Sequence, residues 1–201
     1  MGAGGQALSR AGSVRRAIHE GGQSRWWRGR DFSASTRSVE TELSRLASAG
    51  ELIRVRKGLY WRGESSRFGM IPPSPLAIGL EIAGRGAGPA GVAAAAYLGL
   101  TTQVPSVVEI AVPGRCPSAI AGVRFRQRPI ERRERQLEPR EVAVLEVLRD
   151  PSAVETPWDE VALRVRADLR TRRVRRDVLE AQLADESHVS LRAHWAHVIS
   201  G

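Results

Sequence analysis

One stretch constrains this chain more than any other: "SASTRSVETELSRLASAG" runs directly into "ELIRVRKGLYWRG". Val39, Leu43 and Leu46 recur at spacings of four and three, which defines one apolar face of a helix, and Gly50 is placed to stop it. The opposite face carries Arg37, Thr41, Ser44 and Ser48, all small or hydrogen-bonding side chains. Two short β-forming runs follow, separated by a basic tip. With Arg56-Lys57-Gly58 as a three-residue loop and Gly58 left-handed, Val55 pairs with Leu59 and Ile53 with Trp61. All four then face the helices, while Arg54 and Tyr60 share the outer face. A two-residue loop would set Ile53 opposite Arg62 and mix apolar with charged side chains on one face. The three-residue loop is therefore the expectation.

Upstream, "SVRRAIHEG" reads as a helix with Ser13 as its cap and Gly21 or Gly22 as its stop. "SRWWRGRDF" reads as a short strand and a turn. Helix, strand, helix-turn-helix and basic hairpin, in that order, make a winged helix. In a helix-turn-helix the second helix enters the major groove by its N-terminal end, which here holds Ser35, Thr36 and Arg37. Short hydroxyls at a helix start suit phosphate, and an arginine can fork onto a guanine edge. Thr41 lies one turn on, and Arg54, Arg56, Lys57 and Tyr60 place the wing along the neighbouring backbone. These eight residues are the expected DNA contacts.

Charge points the same way. The formal net charge is +9, of which residues 1–73 carry +7 and residues 74–201 only +2. A polyanion partner for the first part explains the asymmetry, and so does a merely solvated basic surface. Lys57 is the one lysine among 31 basic residues, an arginine bias that reads as a GC-rich genome and weakens any argument from arginine alone. No apolar run approaches a bilayer crossing, no secretory core opens the chain, and the lone Cys116 excludes an internal disulfide. A cytoplasmic protein without cofactor or metal is expected.

The stretch "RGESSRFGMIPPSP", residues 62–75, marks a boundary through its serines, glycines and prolines. It divides a winged helix at 1–68 from a mixed α/β region at 69–201, an α+β chain with a small sheet and several helices. In the second region "SPLAIGLEIAG" and "GPAGVAAAAYLG" read as helices, the latter with Pro89 in its first turn and Gly99 at its end. "SVVEIAVPG" and "GVRFRQRP" read as strands. Further helices are expected from about Pro139 to Arg149, after a Thr156 cap with Pro157 at the first helical position, and through Val174, Val178 and Leu179.

"SRLASAGELIRVRKGLYW", followed by a proline-rich link and "GPAGVAAAAYLGLTTQVP", resembles the AbiEi antitoxins of AbiE-type (type IV) toxin–antitoxin systems, in particular their mycobacterial MenA-like branch. The resemblance runs from about Arg25 to Val123. Gly50, Arg56, Gly58 and Tyr60 match the wing motif, and Gly99 to Pro105 match the "LGLTTQVP" signature. It implies a winged-helix domain that represses its own operon at inverted or direct repeats, as a homodimer or as cooperative monomers. It also implies an antitoxin domain that opposes a nucleotidyltransferase-like toxin. One departure stands out: Ala90-Gly91-Val92 follows Gly88-Pro89 where relatives often carry a serine or threonine.

Other constellations have two readings each. Thr101, Thr102 and Gln103 fit contact with a toxin or nucleotide, and equally the satisfaction of loop backbone. Arg124, Arg126 and Arg128 alternate onto one strand face, as a ladder for an acidic partner or as the charge that protects an edge strand. The Arg172–Arg176 cluster reads as a solvated helical face or a second nucleic-acid contact. Gly86, Gly88 and Gly91 have GxGxxG spacing, but a helix precedes them and Pro89 lacks a donor, so an interhelical turn is expected. His188, His194 and His197 lack the further ligands of a metal shell. The competing class is an atypical kinase that silences the toxin by phosphorylation; against it, the chain has no Walker lysine and no HRD or DFG set.

Overall fold

In the computed structural model, residues 3–32 and 36–200 are described, with side chains described for residues 12–32 and 37–200. The chain divides between Ser74 and Pro75 into two compact units, within the proline- and serine-rich stretch and six residues beyond 68.

The first unit begins with α1 (Ala3–Glu20). Ser13 therefore sits inside the helix rather than capping it; the stop at Gly21-Gly22 holds, with Gly22 left-handed at φ +82°. Strand β1 (Arg25–Trp27), a 3-10 turn (Gly29–Asp31), α2 (Thr36–Ser48), β2 (Ile53–Arg56) and β3 (Leu59–Arg62) complete a winged-helix layout, with the antiparallel sheet ordered β1-β3-β2. Val39, Leu43 and Leu46 pack with Val14 and Ile18 of α1, Leu52 and Trp27 into one core.

The hairpin corrects two expectations. Ile53 faces Trp61, Arg54 faces Tyr60 and Gly58 is left-handed at φ +75°, but the register shifts at Val55 and Leu59 pairs with Arg56. The inner face is also only partly that expected: Leu59 is buried and Arg54 exposed, but Tyr60 rather than Trp61 enters the core. Tyr60, beside Trp27 on β1, is 3% exposed and belongs to the core. On the same face Arg62 donates to the carbonyls of Ile18, His19 and Gly22 at the end of α1. Trp61 lies on the other face, against Trp26 with ring centroids 4.8 Å apart. Because side chains alternate along a strand, fixing Tyr60 inward puts Ile53 and Trp61 on the other face of the sheet, where both are half-buried. The linking stretch itself forms a tiny hairpin, β4 (Ser65–Ser66) with β5 (Gly69–Met70), folded back where Trp61 Nε1 donates to the Ile71 carbonyl.

The second unit holds α3 (Pro75–Ala83), β6 (Gly88–Ala90), α4 (Gly91–Leu98), β7 (Val108–Pro113), β8 (Val123–Arg128), α5 (Glu131–Glu134) and α6 (Pro139–Arg149). Helices α7 (Trp158–Arg170), α8 (Arg176–Asp185) and α9 (Val189–Ile199) follow, the last where the sequence marked no element. Central β7 pairs antiparallel with β6 and parallel with β8. Its Ile110 and Val112 join Ala83, Ala87 and Val123 in one cluster, while Ala111 joins the larger cluster built on α4, α6, α7, α8 and α9. Residues 88–90 are a strand, so Pro89 stands in β6 rather than in a helical turn, and the GxGxxG spacing spans a turn, a strand and the start of α4. Gly99 ends α4 in the left-handed region as expected. Pro157, not Thr156, occupies the cap of α7, and the Thr156 hydroxyl has no hydrogen-bond partner. Val174 precedes α8 and is buried. Among the described residues no helix is long and apolar enough to cross a membrane.

Candidate nucleic-acid interface

The polar face of α2 and the wing enclose a cleft of about 500 Å³. Arg37, Thr41 and Ser44 line it from the helix, and Arg54, Lys57 and Tyr60 from the hairpin. Helical spacing explains the first set: positions 37, 41, 44 and 48 lie opposite buried Val39, Leu43 and Leu46. The Thr41 hydroxyl donates to the Arg37 carbonyl at 2.9 Å and that of Ser48 to the Ser44 carbonyl at 3.1 Å. Their donors are thereby used within the helix, and their oxygens are left as acceptors toward the cleft.

Five of the expected DNA contacts meet here: Arg37, Thr41, Arg54, Lys57 and Tyr60. Tyr60 is buried in the core and offers the cleft little surface, a correction to its expected place on the outer face of the wing. Arg56 is exposed at the end of β2 but does not line the cleft. Thr36 opens α2, its side chain outside the described residues, and Ser35 lies outside them entirely.

Sequence reasoning missed the carboxylates. Glu40 lines the same cleft. Glu42, 5% exposed, takes the Arg45 guanidinium in a two-pronged hydrogen bond of 2.8 and 2.6 Å. This bond and the Glu42 charge raise the Arg45 pKa above its ordinary value. Arg45 lines the cleft already neutralised. The i, i+3 spacing of the two residues was the available signal.

In the second unit the expected partner residues are engaged internally. Glu155 accepts from the Thr102 backbone N–H at 2.8 Å, the Thr102 hydroxyl at 3.2 Å and the Gln103 amide at 2.9 Å. The Thr101 hydroxyl accepts from the Gln103 N–H. The Thr102 backbone bond, followed by the Gln103 side chain, lowers the Glu155 pKa from the usual 4.5 to about 2. The "LGLTTQVP" loop is thus stapled across 53 residues of sequence. Arg124 and Arg126 both bind Glu109 on the adjacent strand, at 3.1 and 2.8 Å, and Arg128 binds Glu146 of α6. The hydrogen bond from Arg126 is the main cause that holds the Glu109 carboxyl below its usual range. β8 is an edge strand, and its arginines are paired rather than forming a bare electropositive ladder.

The C-terminal arginine cluster is only partly a solvated face, because Arg175 forks onto buried Glu141 at 2.7 Å. Among the described residues no group of three or more His, Cys, Asp and Glu is placed to hold a metal. His194 donates to the Leu148 carbonyl, and His197 lies 3.4 Å from Asp159.

No curated protein matches the chain. The solved crystal structure of the RV2827C protein from Mycobacterium tuberculosis is similar at 15% identity and a TM-score of 0.47, covering 96% of this chain and 76% of that one. Residues 30–127, which take in α2, the wing and the sheet of the second unit up to Gln127, match the family described as "Family of unknown function (DUF6088)".

Proposed function

We propose that the protein binds double-stranded operator DNA through its first unit and acts as an autorepressing antitoxin. The observation that carries the DNA reading is the convergence of Arg37, Thr41, Arg54 and Lys57 on one cleft between α2 and the wing. In this arrangement the start of α2 enters the major groove, where Arg37 reads a guanine edge and Thr41 offers an acceptor to an exocyclic amine. Lys57 and Arg56 lie on the flanking backbone, where their charge supplies affinity without sequence information. The +7 balance of residues 1–73 adds attraction over a longer range. The antitoxin half of the reading is supported by the resemblance in "LGLTTQVP" and its order after the wing motif.

Fluorescence anisotropy with the gene's own upstream duplex and a scrambled duplex, across salt, tests the first half. The expected result is sequence-preferring binding that an Arg37→Ala/Lys57→Ala variant loses. Equal affinity for both duplexes, or an unaffected variant, would remove the DNA assignment. Co-expression with the neighbouring gene product tests the second half, and growth arrest that this chain fails to relieve would sink it.

A further inference from the structure

The second unit contains a cleft of about 410 Å³ that the DNA reading leaves without a role. Arg126, Arg128, Arg149, Glu146, Asp150 and His188 contribute to its lining. Its floor is a buried ionic network. Arg128 donates to both oxygens of Glu146 at 2.8 and 2.6 Å. Arg132, fully buried, donates to Glu146 and Glu186 at 2.7 Å each. Arg149 donates to the other oxygen of Glu186. Three guanidiniums therefore share two carboxylates, and Gln182, which also donates to Glu186, adds no charge.

Of the neighbouring carboxylates, Glu109 is shared by Arg124 and Arg126, while Asp150 accepts from the Ser152 N–H and keeps its charge near His188. Two buried polar atoms of residues lining the cleft have no hydrogen-bond partner, Arg149 Nε and His188 Nδ1. Burial pushes the Arg149 pKa down in spite of Glu186 and Glu146. Two polar nitrogens held away from water, one on a guanidinium and one on an imidazole, stay unsatisfied without a hydrogen-bonding ligand.

We propose that this cleft binds a small phosphorylated metabolite, its phosphate held by Arg149, Arg128 and His188. Arg128 already forks onto Glu146 and Arg149 reaches Glu186, so the phosphate takes their remaining N–H groups, Arg149 Nε among them. The volume falls in the range of about 300–1,000 Å³ common to small-molecule sites. A second cleft of about 200 Å³ adjoins it through Gly91 and Glu109, lined by Val92, Pro105, Val107 and Ala153. That apolar extension suits the less polar body of such a ligand.

Calorimetric titration of the full chain with pyrophosphate, AMP, inorganic phosphate and adenosine at constant ionic strength tests the assignment. Pyrophosphate is expected to bind, and His188→Ala and Arg149→Met are each expected to weaken it about tenfold or more. Arg124→Ala, whose exposed guanidinium pairs only with Glu109, is expected to leave it unchanged. His188 makes no hydrogen bond through its buried nitrogen, so His188→Ala keeps the test valid if Arg149→Met fails to fold. Tighter binding of AMP than of inorganic phosphate, with adenosine silent, assigns a nucleotide; equal binding of the two phosphates assigns the free ion. A silent wild-type titration, or equal loss in all three variants, overturns the site. Operator binding by the same variants, measured alongside, is independent of either result.

Discussion

Two glutamates set how much positive charge the molecule presents, one in each unit. Buried Glu42 neutralises Arg45 beside the cleft between α2 and the wing, so in the proposed DNA complex Arg45 adds no counterion release. Each phosphate neutralised changes the log–log salt slope by about −0.9. Lys57→Ala is expected to flatten the slope by that amount, and Arg45→Ala to leave it unchanged. Glu42→Gln frees the guanidinium and should steepen it by one phosphate equivalent. Glu146 plays the corresponding part inside the second unit. Burial pushes its carboxyl up, but hydrogen bonds from Arg128 and the charge of Arg132 outweigh it and leave the pKa below 4.5. A carboxylate lowered on folding stabilises above its unfolded pKa, and that contribution is lost as pH falls through the folded value. Glu146→Gln leaves three guanidiniums, that of Arg132 fully buried, with one carboxylate and should cost about 3–5 kcal/mol at neutral pH. Its penalty should begin to shrink below about pH 4.5, where the unfolded chain takes up the proton first, and vanish as pH falls through the lower folded pKa. Chemical denaturation at pH 7 and down to about pH 3 reads both; a penalty that stays constant across that range would mean the charge is not what Glu146 supplies.

Among the elements, the loop after α4 depends on one exposed carboxylate. Glu155 is depressed to about 2, so its hold on Thr102 and Gln103 is complete above about pH 4.5 and disappears as the pH falls toward 2. Hydrogen exchange at the Thr102 amide should lose protection across that window, and Glu155→Ala should remove it at pH 7. Protection that survives the substitution would return the loop to other partners. Close packing governs β6 in the same way. A Cβ on Gly88 would stand 2.4 Å from Val142 Cβ of α6, so Gly88→Ala should destabilise by about 1–3 kcal/mol in a denaturant titration. The hairpin shows what was legible from sequence and what was not. Its local chemistry, Gly58 and the Ile53–Trp61 pair, is written within a few residues. Its inner face is decided by β1, since Trp27 and Trp26 are adjacent aromatics and only pairing with Tyr60 and Trp61 settles which points inward. The Glu155 staple and the pairing of Arg124, Arg126 and Arg128 are long-range in the same sense: each residue was visible, its partner was not. The α9 helix was hidden because its apolar positions, Leu191, Trp195 and Val198, are interrupted by two histidines that read as candidate ligands.

On the scale of the whole chain, the cores are separate. Val14, Ile18, Trp27, Val39, Leu43, Leu46, Leu52 and Tyr60 form a cluster confined to the first unit, and the two other clusters lie wholly after Ser74. A unit with its own core can fold alone, and here it also carries most of the net charge. A fragment of residues 1–74 is therefore expected to show helical circular dichroism, to unfold cooperatively, and to keep both the sequence preference and the per-chain salt slope of the intact protein. The slope is the discriminating quantity, because affinity can fall if the second unit brings two copies together on a repeat, whereas the number of phosphates each chain neutralises cannot. A fragment that folds but shows a slope flatter by several units would place phosphate contacts after Ser74, with the exposed arginines Arg172 and Arg173 the first to be substituted. A fragment that keeps the slope confines DNA binding to the wing and α2, and leaves the phosphate-sized cleft of the second unit to a different ligand.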